Sequence, residues 1–151
     1  MIPETMEAVV LTGPTPAEQV RLTRVPVPRA RPGWVLVRVR AFGLNHSEQI
    51  LRLSEIQADY IQKPIIPGIE CVGEVADPSD SSFRPGQKVA ALMGGMGRSF
   101  NGSYAPYALL PASHVFAIET GLSWAETAAA PETYFTAWGS LFECLRLCRG
   151  D

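Results

Sequence analysis

The feature that most constrains the fold is the regular interruption of short apolar segments by proline and glycine. The triplet Arg-Pro-Gly occurs at residues 31–33 and again at 84–86, each time directly before a strand-like segment. Pro followed by Gly suits the two central positions of a type II turn, because glycine accepts the positive φ that the second position requires. Thirteen Pro and thirteen Gly spread in this way favour a compact barrel or sandwich with many turns over a disordered chain.

Seven short segments between the turns have the composition of β-strands. Residues 34–41 alternate most clearly, with three valines and Ala41 on one face and Arg38 and Arg40 on the other. The other predicted strands cover residues 6–12, 19–25, 70–76, 87–93, 103–110 and 114–118. The sequence therefore predicts a mainly β domain over residues 1–122.

Two capping boxes predict helix starts within and after these strands. Asn45 stands three residues before Glu48, and Ser123 stands three residues before Glu126. Pro131 suits the first turn of a further helix. The apolar residues that follow at helical spacing form one stripe, here called the terminal stripe, which consists of Tyr134, Phe135, Trp138, Leu141, Phe142 and Leu145. Residues 123–151 are therefore expected to be a helical segment whose stripe needs a covering surface.

Composition excludes several classes of function. The net charge of −2 and the pI of about 5.7 give no electrostatic footprint for nucleic acid. No apolar run approaches the ~20 residues of a membrane span, and no secretory signal is visible at the N-terminus. Three cysteines without a Cys-x-x-Cys pair indicate a reducing cytoplasm and are read as small buried hydrophobes.

Five segments in a fixed order resemble one family. They read AFGLN at 41–45, PGIECVGEV at 67–75, FRPGQKVAAL at 83–92, GSYAPY at 102–107 and PETYFTAW at 131–138. Together they resemble the N-terminal, GroES-like domain of the medium-chain dehydrogenase/reductase superfamily, in its zinc-independent, quinone-oxidoreductase-like branch. The resemblance implies a partly open β-barrel with terminal helices. The Rossmann cofactor domain, with its strand, Gly-rich loop and helix, is absent from this chain.

The zinc-dependent alcohol dehydrogenases of this superfamily differ from the chain at all three ligand positions of the catalytic metal. The matching residues here are Asn45, Ile69 and Glu132. A tetrahedral zinc site requires thiolate and imidazole ligands, which these three side chains do not supply. No metal is therefore expected. Glu70, which follows the lost ligand position, is expected to lie with Glu132 beside the interdomain cleft, and the alternative is an exposed strand end.

The resemblance also implies which residues carry the chemistry. The catalytic candidates are Asn45 as an orienting amide, Ser47 as a proton relay and Tyr60 as a general acid, although the spacing around Tyr60 is not that of the family. The candidates for cofactor binding are Asn45, His46, Thr133 and Thr136. Capping competes with function at the residues of the helix start, and Thr136 could instead bond the carbonyl of residue 132.

The loop at residues 93–104 carries several glycines and invites a phosphate-binding interpretation with Arg98. It leads into another strand, so its amides are not gathered at a helix N-terminus. We expect it to line the substrate entrance instead, with Met93, Met96 and Phe100 as adaptable walls.

The expected function is that of the substrate-binding half of a zinc-independent, NAD(P)H-dependent reductase of a quinone, enal or other activated carbonyl. NADPH (or NADH) would be held mainly by the missing domain, so the chain alone should be inactive and monomeric, whereas the intact enzyme should be a homodimer. One alternative is a free-standing barrel that binds a protein partner through its terminal stripe. Another is a zinc alcohol dehydrogenase with atypical ligands from His46, Glu70 and Glu132.

Overall fold

The computed structural model describes residues 1–150, which form seven strands and a helical C-terminal segment. The strands are β1 (Thr5–Val9), β2 (Leu22–Pro26), β3 (Trp34–Ala41), β4 (Glu70–Asp77), β5 (Lys88–Leu92), β6 (Tyr107–Pro111) and β7 (Val115–Ala117). The helices are α1 (His46–Leu53), α2 (Trp124–Ala128) and α3 (Pro131–Trp138), and α3 continues as a π-helical segment over Gly139–Cys144. Short 3₁₀ turns cover Ala17–Gln19, Glu55–Gln57 and Ala112–His114.

All strand pairs are antiparallel, and they form two sheets. Strands β1 and β2 form a hairpin-like pair, while the other five strands lie in the order β6-β3-β4-β5-β7. The pairing of β3 with β4 shifts register at residues 36–37 and again at 39–41. Such irregularities bend a strand and increase its twist, which suits a sheet that curls into a partly open barrel. The predicted mainly β, partly open barrel is confirmed.

The two Arg-Pro-Gly turns adopt the predicted conformation. Gly33 and Gly86 have φ angles of 78° and 79°. The amide of Trp34 donates to the Arg31 carbonyl at 2.9 Å, and the equivalent bond closes the second turn. Each glycine thus reverses the chain directly before a central strand, which explains why the triplet occurs twice.

Strand β3 is buried on both faces, which the alternation of its sequence only half predicts. Val35 and Val37 enter the core between the curled strands, together with Cys71 and Val89. Leu36 points to the opposite face, where the β1–β2 sheet covers it. Arg38 and Arg40 lie beyond this covered region and are exposed, as the pattern predicts.

Four predictions about these elements are wrong. Strand β1 ends at Val9 and not at residue 12, and strand β2 begins at Leu22 and not at residue 19, where a 3₁₀ turn ends. Strand β6 begins at Tyr107 and not at residue 103. The amides of Gly102 and Tyr104 donate to the carbonyls of Ile66 and Pro67, and Pro106 has no amide to continue a ladder. Only Cys71 is a buried cysteine, since Cys144 and Cys148 lie on the exposed C-terminal segment.

The C-terminal segment leaves its apolar residues on the surface. The Ser123–Glu126 capping box opens α2 as predicted, with the Glu126 amide donating to the Ser123 hydroxyl. Every member of the terminal stripe is exposed, and Trp138 keeps 58% of its surface accessible. Within the described residues, no helix is long and apolar enough to cross a membrane.

Candidate functional site

The turn between β3 and α1 is held by a buried carboxylate, Glu48. Its Oε2 accepts hydrogen bonds from the backbone amide of Asn45 at 2.9 Å and from the Tyr104 hydroxyl at 2.6 Å. Its Oε1 accepts from the Ile69 amide at 2.9 Å. Burial raises the pKa of Tyr104, and the hydrogen bond to Glu48 raises it further, so Tyr104 stays a neutral donor. Glu48 thus joins the helix start to two distant segments of the chain.

A second buried carboxylate, Glu70, joins the same turn to helix α3. Glu70 is 3% exposed, so the alternative of an exposed strand end is wrong. Its Oε1 accepts from the Asn45 Nδ2 at 2.9 Å, and its Oε2 accepts from the Glu132 backbone amide at 2.8 Å. That amide lies in the first turn of α3, where backbone donors lack helical partners and a negative charge is favoured.

Gly43 makes room for this contact. A Cβ atom at Gly43 would lie 2.2 Å from the Glu70 Oε1. The ion pairs of residues 1–150 join Arg40 to Glu74 and Arg98 to Glu55, so no described cation pairs with Glu70. Neutral donors therefore satisfy both oxygens of this carboxylate.

A cavity of about 320 Å³ opens beside these two carboxylates. It is lined by Ser47, Ile69, Met93, Gly95, Met96, Arg98 and Glu132. Two of its polar atoms, the Ser47 Oγ and the Glu132 Oε2, are buried and have no hydrogen-bond partner within the chain. Because buried polar atoms are almost always satisfied, these two atoms make the cavity the candidate site for a polar ligand.

Arg98 closes one side of the cavity and is fixed by Glu55. Its Nε and Nη2 donate to the two Glu55 oxygens at 2.9 and 2.8 Å, and Nη2 also donates to the Ser47 carbonyl. The Arg98 guanidinium holds the pKa of Glu55 below its usual range. This bidentate pair engages the Arg98 guanidinium within the chain, which agrees with setting aside the phosphate-binding interpretation of the loop.

The structure brings four of the predicted site residues together, Glu70 among them, and spreads the others around them. Asn45, Ser47 and Glu132 surround the Glu70 carboxylate and the cavity. Tyr60 lies outside the cavity lining, is exposed, and donates to Glu55, which raises the pKa of Tyr60. Its predicted role as a general acid stays a prediction.

Three of the four predicted cofactor contacts lie on exposed positions, whereas Asn45 is half-buried. His46 is the first residue of α1 and is exposed. Thr133 and Thr136 are exposed on α3, and the Thr136 hydroxyl donates to the Glu132 Oε1 at 3.0 Å instead of to the backbone carbonyl of that residue. Of the three expected walls, Met93 and Met96 line the cavity, whereas Phe100 packs against Trp34.

The residues at the three ligand positions do not fit a catalytic zinc ion. The Asn45 amide is engaged by Glu70, the Ile69 side chain has no donor atom, and only the Glu132 carboxylate remains. Within residues 1–150, no three His, Cys, Asp or Glu side chains gather closely enough to hold a metal. The alternative that combines His46, Glu70 and Glu132 thus finds no such cluster here.

Sequence reasoning missed the role of Glu48 beyond helix capping. Its bonds to Ile69 and Tyr104 span 21 and 56 residues of sequence. The one signal in the sequence was an acidic residue in a capping box with apolar neighbours. The bond between Arg98 and Glu55 was also missed because its partners are far apart in sequence, with 43 positions between them.

The curled antiparallel barrel, with a cavity between its helices α1 and α3, is the architecture of an alcohol dehydrogenase GroES-like domain. Residues 31–120 match the family model described as the alcohol dehydrogenase GroES-like domain. The chain belongs to this family, whose domain stands at the N-terminus of medium-chain dehydrogenases/reductases.

Individual relatives agree with this assignment. The mouse (Mus musculus) "Synaptic vesicle membrane protein VAT-1 homolog-like" is 33% identical over 147 residues, which is 96% of this chain and 34% of that protein. The crystal structure of the human VAT-1 homolog-like protein superposes with a TM-score of 0.84 at 32% identity, covering 97% of this chain and 46% of that one. The quinone oxidoreductase from Coxiella burnetii shares the fold, with a TM-score of 0.81 at 22% identity over 97% of this chain and 47% of its own. The chain thus spans about a third of the length of the curated mouse relative.

Proposed function

We propose that these residues form the substrate-binding and catalytic domain of a two-domain, NAD(P)H-dependent reductase that works without zinc. The proposal is carried by one observation. The Ser47 hydroxyl is buried without a partner in a 320 Å³ cavity whose surroundings offer an amide and an isoleucine where zinc-dependent relatives place metal ligands. A hydroxyl in this position can bond a carbonyl oxygen and pass a proton to it.

The size and lining of the cavity support a small carbonyl substrate. A volume of about 320 Å³ lies at the lower end of the range for small-molecule sites. Ile69, Met93 and Met96 supply apolar walls, and the methionines adapt to varied shapes. Quinones, enals and other activated carbonyls combine an apolar body with one or two carbonyl oxygens, so they match this lining.

The cofactor would bind mainly outside these residues. NAD(P)H supplies a hydride when it is bound, and Asn45, His46, Thr133 and Thr136 are proposed to contact it from this domain. Three of these side chains are exposed, which leaves them available for such contacts. Thr136 is additionally anchored to Glu132, so its hydroxyl has a defined position.

The test is a reductase assay on the full-length protein that contains these residues. We expect NADPH or NADH oxidation with quinones or enals, no loss of rate with a chelator, and no stoichiometric zinc by elemental analysis. The 151-residue chain alone should show no turnover. Ser47→Ala should lower kcat about 100-fold or more if the hydroxyl passes the proton, whereas Ser113→Ala, an exposed serine outside the cavity lining, should not change it.

Different failures overturn different parts of this proposal. Stoichiometric zinc that is required for activity would refute the zinc-free mechanism. Absence of any NAD(P)H-dependent reduction in the full-length protein would refute the reductase itself. An unchanged rate in Ser47→Ala would remove the hydroxyl from the chemistry and leave the rest of the proposal standing.

The exposed terminal stripe favours a second candidate, a module that binds a protein partner. Trp138 and Phe142 lie in ring contact on the surface, with centroids 4.4 Å apart. Fluorescence quenching of the tryptophans by iodide distinguishes the two functions. The difference between wild type and Trp138→Phe gives the signal of Trp138. In a reductase, Trp138 should be protected in the full-length protein, because the cofactor domain would cover the stripe. Full accessibility there would instead favour a partner-binding surface.

A further inference from the structure

We propose that the cavity between α1 and α3 selects carbonyl compounds that carry a hydroxyl group within a few bonds of the carbonyl, and that Glu132 binds this hydroxyl. The inference rests on the reductase function proposed above and names the substrate class of the same cavity. The Ser47 hydroxyl would bond the carbonyl oxygen, while the Glu132 Oε2 would accept a hydrogen bond from the hydroxyl of the same molecule.

The argument begins with the unpartnered oxygen of Glu132, which is a hydrogen-bond acceptor. Its Oε1 already accepts from the Thr136 hydroxyl at 3.0 Å, which fixes the orientation of the side chain. The Oε2 is buried and has no partner within residues 1–150. A carboxylate offers acceptors only, so a carbonyl oxygen cannot satisfy this atom. The ligand that completes the cavity must therefore bring a donor of its own.

Ser47 is the other polar group of the lining that is open to a ligand. Its Oγ is buried and unpartnered, so it is not bonded to Glu132. The Arg98 guanidinium is engaged by both oxygens of Glu55. Three backbone amides of the lining already donate within the chain, those of Ile69, Met93 and Met96. A ligand thus meets two separate polar atoms, a hydroxyl that can donate to a carbonyl and a carboxylate oxygen that accepts.

The surroundings of these two atoms favour a neutral donor on the ligand. Glu132 and Arg98 place groups of opposite charge on the same lining, so neither a cation nor an anion is favoured by the whole cavity. Apolar side chains supply much of the remaining lining, where an ionic group would lose its hydration. A hydroxyl is the smallest neutral donor, and it suits a cavity of about 320 Å³. A ligand carboxylate in its place would be repelled by the Glu132 Oε2.

Reduction of such a ligand would leave the bound hydroxyl unchanged. The carbonyl carbon gains the hydride of NAD(P)H, which is oxidised by two electrons while the substrate is reduced by two. The carbonyl oxygen gains a proton from the Ser47 hydroxyl, which recovers one from water. A hydroxy ketone thus becomes a diol.

Methionine methyl NMR measures the selection without turnover. Of the four methionines in these residues, Met93 and Met96 line the cavity, whereas Met1 and Met6 do not. Full-length protein with ¹³C-labelled methionine methyl groups is titrated with hydroxyacetone and its isostere butanone, and with 4-hydroxy-2-butanone and its isostere 2-pentanone. Shifts of the two lining methyl groups give the dissociation constants. At least one hydroxy ketone should bind about 10- to 100-fold more tightly than its isostere, the range for a hydrogen bond to a charged group. Pyruvate should bind more weakly than butanone.

A matched pair of variants assigns this preference to Glu132. Glu132→Leu removes the acceptor, so the ratio of the two dissociation constants should fall by the same 10- to 100-fold factor, as should the ratio of kcat/KM for the two ketones. Glu119→Leu makes the same change at an exposed residue outside the lining and should keep the wild-type ratios. Urea unfolding checks that both variants fold. The wild-type ratio tests the inference even if Glu132→Leu does not fold.

The outcomes separate this inference from the function on which it rests. If the full-length protein reduces no carbonyl compound with NAD(P)H, the reductase proposal fails, and a ketone preference that Glu132→Leu abolishes would still establish the binding site. If the protein is an active reductase and neither hydroxy ketone binds more tightly than its isostere, the reductase stands and the substrate class is wrong. An equal ratio in wild type and Glu132→Leu would show that water completes the Glu132 Oε2, which overturns the inference. Tighter binding of pyruvate than of the hydroxy ketones would overturn it as well.

Discussion

Replacement of Glu70 tests whether hydrogen bonds from neutral groups hold the site together. Glu70→Met keeps the side-chain volume but removes both acceptors, so the Asn45 amide and the Glu132 backbone amide lose their partners. Each buried donor left unsatisfied costs about 1–3 kcal/mol. Relief from burying a charge offsets part of that sum. We expect a net loss of about 3 kcal/mol in the free energy of unfolding.

Glu70→Gln should lower the free energy of unfolding much less than Glu70→Met, because glutamine can keep both hydrogen bonds. The glutamine Oε1 can keep the bond from the Glu132 amide, while its Nε2 would face the Asn45 Nδ2. Asn45 can turn its amide by 180° and offer its Oδ1 instead, which restores a donor–acceptor pair. The cost should then be about 1 kcal/mol, from the loss of charge in these two hydrogen bonds.

Urea unfolding of the chain, followed by tryptophan fluorescence, measures both variants. With a slope of ~2 kcal/mol per molar urea, the midpoint should fall by about 1.5 M in Glu70→Met and about 0.5 M in Glu70→Gln. The same two substitutions at the exposed Glu119 should shift the midpoint very little. Equal shifts for the methionine and glutamine variants at position 70 would refute the reasoning, since shape and not hydrogen bonding would then hold the site.

Three further perturbations follow from other contacts. Gly43→Ala should lower the melting temperature by several degrees, because the new Cβ meets the Glu70 Oε1 at 2.2 Å, and calorimetry measures it. Arg98→Gln should lower the free energy of unfolding by up to about 1 kcal/mol at pH 7. Arg98 lowers the folded-state pKa of Glu55, so this loss of stability should shrink as pH falls through that pKa and the carboxyl is protonated. A difference in urea midpoint between variant and wild type that stays constant from pH 7 to pH 3 would contradict this reasoning. Burial raises the pKa of the Cys71 thiol to about 12, so Cys71 should resist iodoacetamide at pH 8 until the chain unfolds, as followed by peptide mass spectrometry.

The parts of the fold that sequence predicted are those fixed by neighbouring residues. The turns at Gly33 and Gly86 could be predicted because the position that requires a positive φ and the glycine that adopts it lie within the same four residues. The Ser123–Glu126 capping box is equally local and is present in the structure. The family resemblance extended this local knowledge to the barrel as a whole, since the order of five segments specifies how the strands are connected.

The site was harder to predict because its bonds join distant segments. The role of Glu70 required knowing that residues 45 and 132 meet at one carboxylate, and these lie 25 and 62 positions away. Hydrophobic periodicity does not predict such a contact between distant segments. The double burial of β3 escaped prediction for a related reason, because the covering strand pair β1–β2 comes from a separate part of the chain.

The two buried carboxylates show how hydrogen bonds can hold the cleft segments together without a metal ion. A tetrahedral zinc ion holds its ligands from several segments in fixed positions. Here Glu48 bonds residues 45, 69 and 104, while Glu70 bonds residues 45 and 132. Together these carboxylates connect the same three segments that supply the metal ligands in zinc-dependent relatives. Because the oxygens of both carboxylates already accept these bonds, the buried side-chain oxygens of the cavity lining that lack a partner are the Ser47 Oγ and the Glu132 Oε2.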